Sequence, residues 1–197
     1  DAGFPHSSGR QDEGFGQMLE VIFLTIAVTF LTSAQPQTKE PSDGPLIEIA
    51  ATGCRHAVKP VDRPFLRELL DIERKAGWPL KHRGLLLASV CREARLDKDI
   101  AKCGDGGKSC GILQARTWIV DRYGIDRKDW RALASTYLKH VLSLKRKAKR
   151  KCPRKFDPLL VAQAWVASGP KGHTCRYSRH YGLLKRWKRK LRWTYKR

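Results

Sequence analysis

What this 197-residue chain lacks narrows its class before any motif is considered. It has no uninterrupted apolar run of the roughly 20 residues that a spanning helix needs, so a stable transmembrane anchor is not expected. It has no C-x-x-C pair, and its cysteine spacings do not resemble a zinc site, so no metal is implied. It has no long alternating segment that reads as an extended strand. It has no acidic residue after Asp157, so any chemistry that needs a carboxylate must be built upstream of that point.

What is present is strongly cationic. The net charge is +21, from 40 Lys and Arg against 19 Asp and Glu. A charge of this size points to a polyanionic partner: nucleic acid, an anionic membrane or an envelope polymer. It is placed unevenly, since residues 145–197 hold 19 basic residues and one acid. With 41% hydrophobic residues, six Trp and six Phe, the chain has enough apolar mass to fold.

Met18 is the only methionine, and the apolar run Val21 to Leu31 follows it and ends in Thr32-Ser33-Ala34. Residues 18–34 read as a secretory signal, with residues 1–17 upstream of the natural start. The chain is therefore expected to be secreted or periplasmic. Residues 35–55, with Pro36, Pro41, Gly44 and Pro45, read as a linker, and folding is expected to begin near Cys54. All six cysteines follow the signal, which makes disulfides the default in an exported chain. Cys103 and Cys110 are the closest pair and would staple the loop between them. Cys152 with Cys175 and Cys54 with Cys91 complete one of about 15 possible connectivities.

The periodicity is helical. Phe65, Leu66, Leu69, Leu70 and Ile72 share a face after Asp62 and Pro64, and Gly77 with Pro79 stops the segment. A second helix is expected over about 83–95. The stretch from Cys103 to Gly111 is glycine-rich and reads as a loop or small hairpin. A long helix starts near Asp126 or Asp129 and carries Trp130, Leu133, Tyr137, Leu138, Val141 and Leu142. Asp157-Pro158 opens a further helix, apolar nearly all round from Leu159 to Ala167 and therefore expected in the middle of the domain. Residues 177–197 form a cationic amphipathic C-terminal helix beyond a 56–176 domain. Packing is expected near Tyr181 and Leu184, and contact with an anionic surface beyond Trp187.

Glu93 continues the apolar face of the second helix, seven residues after Leu86 and three after Val90. A carboxylic acid held among apolar groups resists ionisation, which suits it to protonating a leaving group, although Arg92 and Arg95 would act against this if they folded inward. Downstream, the segment Gly104-Asp105 to Gly111-Ile112-Leu113-Gln114 resembles the loop that follows the catalytic glutamate helix of goose-type lysozymes. Tyr137-Leu138 and the run Ala164-Trp165-Val166-Ala167-Ser168-Gly169-Pro170 are similar to later motifs of soluble lytic transglycosylases.

This resemblance covers roughly residues 80–170 and implies a mainly α, lysozyme-like domain that cleaves peptidoglycan glycan strands. It implies that Glu93 is the general acid, that Asp105 assists a water, and that Gln114, Trp165, Tyr137 and Gly111 belong to the substrate site, with no cofactor; Trp165 reads equally as an aromatic face for a sugar or as a core side chain of a buried helix. The family's second aspartate falls at Arg116 in this chain, which leans the expected product toward the 1,6-anhydro end made by transglycosylases. Asp97, one helical turn from Glu93, is a possible auxiliary carboxylate. Ala94 and Val166 also depart from the family pattern. The alternatives are a goose-type hydrolase that uses Glu93 and Asp105, and a non-catalytic cationic protein that binds wall, membrane or nucleic acid. A monomer is expected, with residues 145–197 directed at anionic envelope polymers or a membrane surface.

Overall fold

The computed structural model describes residues 42–55, 57, 60–100, 103–168 and 173–194. The expected signal and the segment before it lie outside the described residues.

The chain is mainly helical. The helices are α1 (Gly44–Gly53), α2 (Arg63–Lys75), α3 (Leu85–Ala94), α4 (Thr117–Tyr123), α5 (Trp130–Lys151), α6 (Pro158–Ser168) and α7 (Arg179–Thr194). Two short antiparallel strands, β1 (Ser109–Cys110) and β2 (Ala115–Arg116), pair Ser109 with Arg116 and Cys110 with Ala115 between α3 and α4. The glycine-rich stretch expected as a loop or small hairpin is a loop, closed by an isolated bridge from Gly104 to Ser109, and the hairpin itself lies at its C-terminal end, over residues 109–116.

Helix starts follow the local chemistry. Asp62 Oδ1 accepts from the Phe65 amide at 3.0 Å, and Asp129 Oδ1 accepts from the Arg131 and Ala132 amides. Asp157 Oδ1 accepts from the Leu159 amide at 2.9 Å. Each aspartate satisfies amides that the first helical turn leaves without carbonyl partners.

The core is built around α3, whose residues Leu85 to Cys91 are all buried, and around α6, where Leu159 to Trp165 are buried. Helix α2 adds Phe65, Leu66, Leu69 and Leu70, and α5 adds Leu133, Tyr137, Leu138 and Val141. Each fully buried Leu, Val or Phe contributes about 1.5–3 kcal/mol of transfer free energy, so these inward stripes hold the bundle together.

Two expectations are corrected. The segment expected as a linker is helical from Gly44, and Leu46, Ile47 and Ala50 of α1 are buried in the core. Helix α7 is also part of the core, not an appendage beyond residue 176: Leu183, Leu184 and Trp187 are buried, and Trp187 is only 2% exposed. The packing expected near Leu184 extends to Trp187, and Leu191, beyond it, is half-buried against the core, while Tyr195 lies outside the described residues.

The disulfides are Cys54–Cys91, Cys103–Cys110 and Cys152–Cys175, the connectivity expected from the spacings. They tie α1 to α3, the two sides of the glycine-rich loop, and the end of α5 to the segment before α7. Closing loops of these lengths stabilises a chain by roughly 2–4 kcal/mol each. They match an oxidising compartment. Among the described residues, no helix is long and apolar enough to cross a membrane.

Candidate functional site

A cleft of about 190 Å³ opens where the C-terminal end of α3, the β-hairpin, α4, α5, the end of α6 and the start of α7 meet. Its polar wall carries Glu93, Gln114, Arg116, His140 and His180, and its apolar side is formed by residues such as Ile119, Ile125 and Leu133. This is smaller than the roughly 300–1,000 Å³ of a pocket that encloses a whole small-molecule ligand.

Glu93 is second from the end of α3, and its side chain is 33% exposed. Its Oε1 lies 2.6 Å from Nε2 of His180, which α7 brings from 87 residues away. The surrounding hydrogen bonds decide which imidazole nitrogen carries the proton. Ser178 Oγ accepts from the Tyr181 amide, so its own hydrogen is directed at Gln163 Oε1. The Gln163 amide nitrogen then donates to Tyr137 Oη at 2.8 Å and to His180 Nδ1 at 2.8 Å. Because Nδ1 is an acceptor, the hydrogen of a neutral imidazole sits on Nε2 and is donated to Glu93.

The network behind Glu93 is buried. Gln163 is fully enclosed, and Ser89 Oγ, which donates to Leu85 O, lies 3.3 Å from His180 Nδ1. Burial pushes the Tyr137 hydroxyl up to about 12, against the lowering effect of its hydrogen bonds with Gln163 and Ser89, so it stays protonated. A satisfied chain of this kind holds its members in one geometry, because breaking any link strands a buried polar group.

Three of the residues expected at a substrate site, Glu93, Gln114 and Tyr137, line this one cleft. Gln114 is tied to its loop: its Oε1 accepts from the Gly104 amide and its Nε2 donates to Gly111 O. It holds the hairpin shut while facing the cleft. Tyr137 reaches the cleft only through its buried position in the network.

The others stand elsewhere. Trp165 is 1% exposed, donates to Thr174 O at 2.9 Å and stacks on His173, so it fills the core and offers no open face. Asp97 accepts from the Asp99 amide in a local turn and is not in the cleft wall. Gly111 is required by the backbone: its φ is +73°, and a Cβ there would stand 2.5 Å from Leu133 Cδ1. Asp105 lies in the one-turn helix of the loop, and its side chain is outside the described residues.

His180, Gln163 and His140 were not singled out by sequence reasoning. His180 precedes Leu184 by four residues and Trp187 by seven, so helical spacing puts it on the inward stripe of α7. Gln163 is the single polar side chain within the apolar run of α6, and a buried amide demands partners. His140 is half-buried, and burial, helped by Arg122, holds its pKa below the usual imidazole range. The rings of Trp118 and Tyr123, 40% and 45% exposed, meet it edge-on at 5.8 Å and 6.3 Å.

Among the described residues, no group of three or more His, Cys, Asp or Glu is placed to hold a metal ion. Comparison with known proteins returns no matching family model, no curated relative and no solved structure.

Proposed function

We propose that this protein is an exported glycosidase with a lysozyme-like catalytic domain that cleaves the β-1,4 bond between N-acetylmuramic acid and N-acetylglucosamine. The observation that carries the reading is the position of Glu93: a carboxylic group at the end of a buried helix, at the wall of a cleft, with one oxygen held by His180. The other oxygen is left for substrate.

In the first step, Glu93 gives its proton to the glycosidic oxygen as the C1–O bond breaks, and positive charge develops on the muramic acid ring. In the second, the 6-hydroxyl of the same ring attacks C1, and the Glu93 carboxylate takes up the hydroxyl proton. The product is a 1,6-anhydro end. Arg116 in the cleft wall, where a hydrolase of this kind would hold a second carboxylate, favours this route over hydrolysis. The exposed rings of Trp118 and Tyr123 beside His140 suit the apolar faces of sugar units outside the cleft. The basic surface of residues 145–197 supports delivery to an anionic envelope, by raising local concentration there.

The test is mass spectrometry of purified peptidoglycan digested by the full chain and by its Glu93→Gln variant. Anhydro ends from the first and none from the second are expected. Reducing ends would make the protein a hydrolase. An undigested sacculus would leave a cationic binding protein and end the enzyme reading.

A further inference from the structure

On another face of the molecule, the Cys54–Cys91 disulfide ties the end of α1 to α3. The residue after each cysteine is an arginine, so the bond brings Arg55 and Arg92 into the lining of one groove of about 500 Å³. Arg95, which terminates α3 in a left-handed conformation with φ +58°, and Arg186 of α7 line the same groove. Lys190 lies one turn beyond Arg186 and completes the lining.

None of the four guanidinium groups makes a hydrogen bond or ion pair among the described residues. Elsewhere the arginines of this chain do find carboxylates, as Arg63 does with Glu48, Arg83 with Asp43 and Arg131 with Glu68. Trp187 forms part of the wall, its buried indole N–H without an acceptor and packed against Gly53, where a Cβ would stand 2.7 Å from Nε1.

The ends of α1 and α3 contribute about half a negative charge each, which offsets roughly one of the four guanidinium charges. Most of the positive charge therefore remains uncompensated within one small groove. A single carboxylate has too little charge and too few oxygens to neutralise it. Guanidinium forks match phosphate oxygens in pairs, and two linked phosphates carry both the charge and the oxygen count that four forks require.

We propose that this groove is a binding site for a phosphate-bearing polyanion of diphosphate type, presented free in solution or on a lipid headgroup. The site stands apart from the Glu93 cleft, and its existence does not depend on the glycosidase reading.

The experiment is calorimetric titration of the full chain with inorganic pyrophosphate. One saturable site is expected, weakened at least tenfold in Arg92→Gln/Arg186→Gln and unchanged within twofold in Lys145→Gln/Lys149→Gln, which removes the same charge from α5. Glu93→Gln should bind as the parent does, which separates this site from the cleft. Absence of saturable binding, or equal loss in both double variants, overturns the proposal. If the arginine pair melts early, Arg55→Gln, at an exposed turn, takes its place with the same expected loss. Vesicles of diacylglycerol pyrophosphate in phosphatidylcholine distinguish the source. Vesicle binding that pyrophosphate displaces and the arginine variant lacks assigns a headgroup, and vesicle binding that survives both assigns a soluble phosphate.

Discussion

Glu73 and Glu93 stand at opposite ends of α3 and do opposite work. Glu73, from α2, is fully buried; its two oxygens accept from the Gly84 and Leu86 amides at 2.6 Å each and so cap the N-terminus of α3. Burial pushes its pKa up to about 7, against the lowering effect of those two bonds and of nearby Arg83 and Lys188. Glu93, near the other end, is one-third exposed and shares one oxygen with a histidine. A buried carboxylate with both oxygens bonded to backbone amides is a structural part, whereas one with an oxygen left at a cleft wall is open to exchange a proton with a ligand.

The sharpest separation comes from substituting each in turn. Glu93→Gln should lower peptidoglycan release by about 10²–10⁴-fold, the usual range for loss of a general acid. Because glutamine still accepts from His180, the urea unfolding free energy should change by less than about 1 kcal/mol. Glu73→Ala should do the reverse: two buried amides lose their acceptor and a cavity opens, so stability falls by about 3 kcal/mol or more while activity per folded molecule is kept. Equal stability losses in the two variants would erase the contrast.

Acidity provides the next test. The folded pKa of Glu73, about 7, lies above its ordinary 4.5, so between those values the folded chain holds more protons than the unfolded one. Stability should therefore fall as pH rises from 4.5 toward 7, by about 3 kcal/mol in total, and that slope should be absent from Glu73→Gln. Asp157 acts in the other direction. Burial opposes its ionisation, but Lys81 and His82 hydrogen bonds hold it at about 2, so its contribution is lost as pH falls below 3.8.

A smaller effect is expected at the link between cleft and network. His180→Ala should lower kcat by about 10–100-fold with little change in KM, since a misplaced acid costs rate more than binding. His180→Gln, which keeps an N–H donor, should recover part of the loss. A change in KM alone would assign His180 to substrate binding and not to positioning Glu93. The smallest effect is at a helix cap distant from both glutamates: Asp129→Ala should cost about 1 kcal/mol in urea unfolding and leave activity intact.

Much of the helical framework was legible in the chain. Asp62, Asp129 and Asp157 each announce a helix start that the structure bears out, and the three disulfide pairs follow the expected spacings. Helix α1 was not legible, because Gly44 and Pro45 resemble linker residues and Asp43 makes no side-chain cap. Its helicity comes from packing Leu46, Ile47 and Ala50 into the core, a tertiary cause that short segments often need. Motif order singled out Glu93, Gln114 and Tyr137, and the fold places all three in the wall of one cleft. Trp165 takes the core role of the two it could have filled, and an aromatic on a helix that is apolar nearly all round carries no mark of which side is open.

By itself, the sequence determined where α2, α5 and α6 start, which of their faces turn inward and where charge accumulates, since these depend on neighbours three or four residues away. Only the tertiary structure decided that His180 of α7 would meet Glu93 of α3, and that Arg55, Arg92, Arg95 and Arg186 would share one groove. Helical periodicity assigns a residue to a face. Which residue of another helix stands opposite depends on how the helices cross and where the disulfides hold them.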